Sequence, residues 1–133
     1  MGDDDLLRLL AYDGRRYWLE NGWSLRFRIR RAEASEGRPA GVKYSFTLHD
    51  AAGIRLLGYD NAHGVKGREA FDHRHRFRRT GELVAYDYVD GDTLLVDFCL
   101  EVERMCGGEG VAFRVVEEDV DLDDHEDEEN EDG

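Results

Sequence analysis

The sequence predicts an α+β domain in which a C-terminal helix packs on the apolar face of an antiparallel meander sheet of about five to six strands. Two segments, 23–30 and 42–49, alternate apolar and polar residues, as half-buried strands do. Residues 93–105 instead repeat apolar side chains at helical spacing. A sheet with one apolar face and a helix with one apolar stripe are both stabilised when these surfaces pack together.

The N-terminal half favours a helix followed by a four-stranded meander. Residues 3–12 begin with three aspartates, which favour the first turn of a short helix; a frayed arm is the alternative for this segment. Asn21-Gly22 is a strong short-range hairpin signal and predicts a turn between the first two strands. The four predicted strands are 17–19, 23–30, 42–49 and 54–59.

The second half is predicted to add strands on either side of the helix. Residues 83–89 and 111–116 are apolar enough to form two such strands. The helix over 93–105 follows Asp-Gly-Asp, which supplies N-cap chemistry. Gly107-Gly108 comes directly after it and predicts a left-handed cap.

The net charge of −13 comes mainly from the C-terminal segment. Residues 117–132 hold twelve of the 31 acidic side chains and no Lys or Arg, whereas residues 1–116 hold 19 acids and 18 bases. We therefore predict a single domain over 1–116 and a disordered acidic tail over 117–133. Scarce lysine with abundant Asp and Glu is also typical of proteins adapted to high salt.

The N-terminal segment and the hydropathy pattern favour a cytoplasmic protein without membrane contact. No stretch approaches the ~20 consecutive apolar residues that a membrane-spanning helix requires. The start Met-Gly-Asp-Asp-Asp lacks the basic residues and the apolar run of a secretory signal.

The polar face of the predicted sheet is basic. Arg26, Arg28 and Arg30 alternate with apolar residues, so their side chains form a row at ~7 Å spacing, close to the phosphate repeat of a nucleic-acid strand. Arg76, in a second basic segment, is a further candidate for contact with RNA. An ordinary solvated face, in which arginine stems cover apolar surface, is the alternative.

Three histidines and a carboxylate provide candidate catalytic groups: His63, His73, His75 and Asp60. Metal-independent RNA cleavage needs a base for the 2′-hydroxyl, an acid for the 5′-oxygen and cations around the phosphorus. Histidine titrates near neutrality and fills either proton role, while arginine holds the phosphate. These residue types together predict a ribonuclease site.

Other roles stay open for the same histidines. His73 and His75 with a carboxylate could bind zinc or manganese, but no Cys/His pair with finger-like spacing supports a metal site, so we predict neither metal nor cofactor. His63 could cap a turn after Asp60 and Asn61. His73 and His75, interleaved with arginine, could also form a basic partner-binding strand without catalysis.

Four short segments resemble the TumE family of toxins. They are YSFTL at 44–48, YDNAH at 59–63, DHRH at 72–75 and LVDF at 95–98. The resemblance spans about residues 15–106 and implies a growth-arresting toxin of a type II toxin–antitoxin pair. It also implies kinship with RelE-like toxins, which cleave or block translated mRNA, and hence RNA or the ribosome as target. The implied partner is a cognate helix-turn-helix antitoxin.

Two functions compete with a catalytic toxin. The basic face could belong to a non-catalytic module that binds nucleic acid or protein, in which case arginine substitutions abolish binding and histidine substitutions do not. Alternatively, the acidic tail could occupy the basic face as a nucleic-acid mimic until RNA displaces it.

Overall fold

The structure, a computed structural model, describes residues 2–62 and 70–120. Within these ranges the chain forms two helices and seven strands, in the order α1 (Gly2–Leu10), β1 (Arg15–Leu19), β2 (Ser24–Arg31), β3 (Val42–His49), β4 (Arg55–Asp60), β5 (His73–Arg76), β6 (Arg79–Ala85), α2 (Gly91–Gly108) and β7 (Val115–Val120). The predicted N-terminal helix and four-strand meander are confirmed.

All seven strands belong to one antiparallel sheet with the order β6-β5-β4-β3-β2-β1-β7. Consecutive strands pair from β1 to β6, and β7 returns to pair with β1. The predicted α+β class is confirmed, although the sheet has more than five to six strands. The short strand β5 (HRHR) has no apolar residue, so hydrophobic alternation could not mark it.

The core lies between the sheet and α2. Phe98 of α2 is fully buried, and its ring centroid lies 5.6 Å from that of Phe27, 5.5 Å from that of Phe46 and 5.6 Å from that of Tyr59. Burying a phenylalanine side chain contributes about 1.5–3 kcal/mol. The prediction that the C-terminal helix covers the apolar face of the sheet is therefore confirmed.

Helix α1 stabilises the start of α2 through one carboxylate. Asp5 accepts hydrogen bonds from the backbone N–H of Gly91 (2.8 Å) and of Asp92 (2.9 Å), two donors that have no partner within the helix. The side chain of Asp90 accepts from Thr93 N at 2.7 Å, as the predicted N-cap chemistry requires. The two carboxylates also interact favourably with the positive, N-terminal end of the helix dipole.

The C-terminal end of α2 differs from the prediction. Gly107 and Gly108 continue the helix, and Gly110 is the residue that takes a left-handed conformation, with φ of +72°. The N–H of Val111 then bonds the carbonyl of Cys106 at 2.8 Å. The two glycines marked the end of the helix in the sequence but did not identify the residue that adopts the left-handed conformation. That position also depends on the hydrogen bonds that close the helix.

The strand predicted at 83–89 begins earlier, as β6 at Arg79. A tight turn at Phe77 and Arg78 joins β5 to β6, and Arg78 adopts a φ of +59°. Residues 86–90 instead lead into α2, where the Tyr86 hydroxyl donates to the Asp97 carboxylate at 2.6 Å. The hydrophobic pattern at 83–89 therefore has two origins. Residues 83–85 pair in the sheet as part of β6, and Tyr86 contacts α2.

The last strand is also displaced, from the predicted 111–116 to β7 at Val115–Val120. Its partner strand β1 is basic, and the Arg15 guanidinium forms an ion pair with the Glu118 carboxylate. Charge density alone assigned residues 117–119 to a disordered tail. In the structure these acidic residues instead pair with a basic strand. Disorder of the segment beyond Val120 stays a prediction, because 121–133 lie outside the described residues.

No helix in the described ranges is long and apolar enough to cross a membrane.

A buried ionic contact joins α2 to the sheet. Glu101, only 6% exposed, accepts a hydrogen bond from the Tyr59 hydroxyl, and its Oε2 lies 3.0 Å from the Arg74 Nη1. A buried carboxylate is stable when such donors satisfy it. Glu101 therefore fixes α2 over strands β4 and β5.

We expect Glu101→Ala to lower the free energy of unfolding by about 2 kcal/mol, because it leaves the buried Tyr59 hydroxyl and the Arg74 guanidinium without this acceptor. Urea denaturation followed by circular dichroism measures the loss. Glu103→Ala, at an exposed position of the same helix, is the control and is expected to change stability by less than about 0.5 kcal/mol. Equal effects of the two substitutions would contradict this account.

Candidate functional site

The sheet face opposite α1 and α2, here called the open face, carries the polar side chains of the alternating strands. Its central row follows the register from Arg28 of β2 through Ser45 of β3 and Asp60 of β4 to His73 of β5. Side chains at paired positions point to the same face of a sheet. The register therefore brings the predicted arginine row, His73 and His75 to one surface.

Two adjoining concavities shape the open face. The larger has a volume of about 530 Å³, and the smaller, of about 210 Å³, lies beside it. Arg26 and His49 line both, so the two lie side by side on this face. The larger is lined by Arg26, Arg28, Arg30, Lys43, Asp60, His73 and His75, among others.

Asp60, His73 and His75, here called the Asp–His–His cluster, lie in direct contact. The His73 Nε2 is 3.1 Å from Asp60 Oδ1, and the His75 Nε2 is 3.1 Å from Asp60 Oδ2. Their side chains are largely buried, with 10% of Asp60, 4% of His73 and 14% of His75 exposed. One carboxylate thus holds both imidazoles.

The other nitrogen of each imidazole faces a backbone carbonyl. The His73 Nδ1 lies 2.8 Å from the Phe71 oxygen, and the His75 Nδ1 lies 2.6 Å from the Thr80 oxygen. A carbonyl oxygen only accepts hydrogen bonds, so each Nδ1 must carry a proton. If each Nε2 also donates to Asp60, both rings are imidazolium ions.

The electrostatics of the cluster favour the charged forms of Asp60 and His73. Burial disfavours a charge on Asp60, but hydrogen bonds from His73 and His75 outweigh it and lower the pKa of Asp60. Burial likewise lowers the pKa of His73, yet its hydrogen bond to the Asp60 carboxylate outweighs this and raises the pKa. The carboxylate and the His73 imidazolium therefore stabilise each other.

Two neighbours of Asp60 hold the end of β4 in place. The Asn61 side chain is buried; its Nδ2 donates to the Val42 oxygen at 2.8 Å, and its Oδ1 accepts from the Tyr44 N–H at 3.0 Å. The Arg38 guanidinium, from the β2–β3 connection, donates to the carbonyls of Asn61 (2.8 Å) and Ala62 (2.7 Å). These hydrogen bonds give Asn61 and Ala62 of the YDNAH segment a structural role, which is to fix the chain next to Asp60.

Gly58 lies against one imidazole. It pairs with His75 in the β4–β5 register, and a Cβ at this position would lie 3.4 Å from the His75 Cδ2. A methyl group here would therefore be in ordinary van der Waals contact with the imidazole.

The predicted site residues fall into three groups. Asp60, His73, His75 and the row of Arg26, Arg28 and Arg30 share the larger concavity. Arg76 is not among the described residues that line it; its Nε lies 3.5 Å from the Glu82 Oε1. His63 lies outside the described residues.

Sequence reasoning missed the contribution of β1 to the open face. Arg16 pairs with Arg26 and Trp18 pairs with Ser24, so both belong to this face, and both line the smaller concavity. The Arg16 guanidinium carbon lies 5.6 Å from the centroid of the Trp18 ring. Alternation within β1 could have revealed them, because Tyr17 and Leu19 pack toward the core.

Comparison with known proteins identifies the family. The model of the family described as Toxin TumE matches residues 19–105, a range that includes the Asp–His–His cluster and the arginine row. The chain belongs to the TumE toxin family. It is therefore the toxin component of a toxin–antitoxin pair, and its family implies an antitoxin partner. No curated protein and no solved structure matches this TumE-family chain.

The hydrogen bonds by which Asn61 fixes the end of β4 next to Asp60 can be tested through the free energy of unfolding. We expect Asn61→Ala to lower the free energy of unfolding by about 2 kcal/mol, since it removes the partners of two buried backbone groups. Asn21→Ala, the same substitution at an exposed turn, is expected to cost less than about 1 kcal/mol. Urea unfolding of both variants gives the comparison, and a cost at Asn61 no larger than at Asn21 would refute the assigned role.

Proposed function

We propose that this toxin arrests growth by binding RNA on its open face, and that the Asp–His–His cluster acts on a phosphodiester held there. The observation that carries the proposal is that the arginine row and the cluster line one concavity. Cationic side chains bind phosphates, and histidines beside them supply proton-transfer groups or positive charge.

The spacing within the concavity suits a single RNA strand. Arg26, Arg28 and Arg30 follow one another at ~7 Å along β2, and Arg28 lies two strands from Asp60, or ~10 Å. A strand of RNA that crosses the sheet would thus place one phosphate among the arginines and a neighbouring one beside the cluster. Lys43 adds a further cation to the same concavity.

Trp18 gives the open face an aromatic surface for a base. Stacking of a base on an aromatic side chain contributes about 1–3 kcal/mol and tolerates any base. Because Trp18 and Arg26 both line the smaller concavity, a stacked base would stay next to the arginines that hold its phosphate. RNA rather than a small anion is therefore the ligand that this face suits.

In the cleavage mechanism that we propose, the two imidazoles have unequal roles. A solvent water takes the proton of the attacking 2′-hydroxyl as the 2′-oxygen bonds to phosphorus. His75 is the more exposed imidazole; it turns its Nε2 proton away from Asp60 and gives it to the 5′-oxygen as the bond from phosphorus to that oxygen breaks. His73 is more deeply buried, and as an imidazolium ion it stabilises negative charge on the phosphorus.

A block of translation without cleavage is the second candidate function. One observation favours it: each ring nitrogen of both histidines already has a hydrogen-bond partner within the protein. In that case the open face only binds RNA, and the cluster contributes positive charge. As antitoxin partner we propose the helix-turn-helix protein that the family resemblance implied.

The arginine row can be tested by RNA affinity. We expect Arg28→Gln to weaken binding of single-stranded RNA and to reduce the slope of log affinity against log salt by about 0.7, the share of one phosphate contact. Arg104→Gln, on the exposed side of α2, removes the same charge far from the open face and is expected to leave both quantities unchanged. Fluorescence anisotropy at several salt concentrations measures them. Equal losses in the two variants would reject the open face as the RNA site.

Growth arrest and RNA integrity separate the two candidate functions. We expect inducible expression of the chain to stop growth, and co-expression of its antitoxin to restore it. Cleavage predicts new 5′ ends in cellular RNA that disappear with His75→Gln, whereas a block predicts intact RNA and arrested protein synthesis. Arrest that persists undiminished when Arg26 and Arg28 are both changed to Gln would exclude both mechanisms on this face.

A further inference from the structure

The Asp–His–His cluster has the spacing of ligands around one metal ion. One potential ligand atom from each of its three residues lies within 4.8 Å of the other two. Ligands that bind a metal at about 2.0–2.1 Å, with tetrahedral or octahedral angles, are themselves about 3 Å apart. Both Nε2–carboxylate distances are 3.1 Å, which matches this separation.

The two imidazoles are oriented as metal-binding histidines are. Their Nδ1 atoms face the carbonyls of Phe71 and Thr80, at 2.8 Å and 2.6 Å. A hydrogen bond from Nδ1 to a carbonyl fixes the tautomer in which Nε2 has a lone pair, and this outer contact is the usual support of a histidine ligand. Both lone pairs would then point toward the Asp60 carboxylate.

That arrangement of lone pairs requires a cation between the nitrogens and the carboxylate. Two protons, one on each Nε2, provide it, and so does one divalent metal ion. The formal charge of the cluster is the same in both cases, so the surrounding cations, Arg26 and Arg28 included, impose no additional repulsion on the metal. Metal binding then amounts to exchange of one divalent ion for two protons.

We propose that Asp60, His73 and His75 form a binding site for a divalent transition-metal ion of the zinc, manganese or iron type. Two imidazole nitrogens and a carboxylate suit these ions, whereas Mg²⁺ and Ca²⁺ prefer sites made of oxygen alone. The cluster lines the larger concavity, so the remaining coordination positions face the space that the arginine row surrounds. An oxygen of water or of a phosphate completes the coordination there.

This inference goes beyond the proposed function and departs from the metal-independent site that the sequence favours. It does not depend on RNA as the target, because binding is measured on the isolated protein. If RNA is the target, a metal ion held by Asp60, His73 and His75 would supply the positive charge that polarises the phosphate.

Titration of the full-length, chelator-treated protein with Co²⁺ tests the site, with visible absorption and calorimetry as readouts. Excess Mg²⁺ is included because it occupies the carboxylates of residues 117–132. We expect one Co²⁺ per chain, absorption bands of nitrogen–oxygen coordination, displacement by Zn²⁺ and a raised midpoint of thermal unfolding.

Two variants locate the binding. His75→Gln is expected to weaken Co²⁺ binding at least roughly 100-fold, since it removes a direct ligand. His125→Gln, which removes the only histidine of the acidic segment, is the matched control and is expected to bind as the unaltered chain does. Circular dichroism establishes that each variant is folded; if His75→Gln is not, Asp60→Asn supplies the same comparison.

Three results would overturn the proposal: no saturable binding to the unaltered chain, equal binding by His75→Gln, or loss of binding in His125→Gln. None of these depends on the RNA experiments. A chain that binds RNA through Arg28 but no metal therefore contradicts only this inference, and a chain that binds metal but no RNA contradicts only the proposed function.

Discussion

The contact between Asp60 and the two histidines depends on the pairing of β4 with β5, and the rest of the open face is built outward from it. In this register Asp60 lies opposite His73, and Gly58 lies opposite His75. A shift of one residue would turn every side chain of β5 to the other face, moving both imidazoles under α2 and Arg74 away from Glu101. One register thus fixes both the polar cluster on the open face and the ionic contact with the helix.

The same alternation gives the sheet its two unlike faces. Phe27 and Phe46 pack beneath Phe98, while Arg28 and Ser45, one residue along each strand, line the concavity. Apolar burial holds the strands in place, so the cations opposite are held in a row without contributing to the core. The backbone that carries these cations is therefore ordered before a phosphate binds, which reduces the entropy lost on binding.

Under the two proposals made above, the cation between Asp60 and the imidazoles decides which chemistry is open to the site. With two protons, His75 can serve as a general acid; with a metal ion, the nitrogens become ligands and the reacting proton must come from water. Both cases use the same oriented imidazoles and the same neighbouring arginines. Membership of the TumE toxin family is compatible with either, since it specifies a toxin but no mechanism.

The sequence by itself determined the α+β class, the first four strands, the helix with its apolar stripe and the alternation of Arg26, Arg28 and Arg30, because these depend on local periodicity. Only the tertiary structure decided the seven-strand order, the strand β5 without apolar residues and the pairing of acidic β7 with basic β1. It also brought Asp60 to His73 and His75, since residues that are thirteen or more positions apart meet only through strand register. Register is a long-range property that hydrophobic spacing within one strand does not encode.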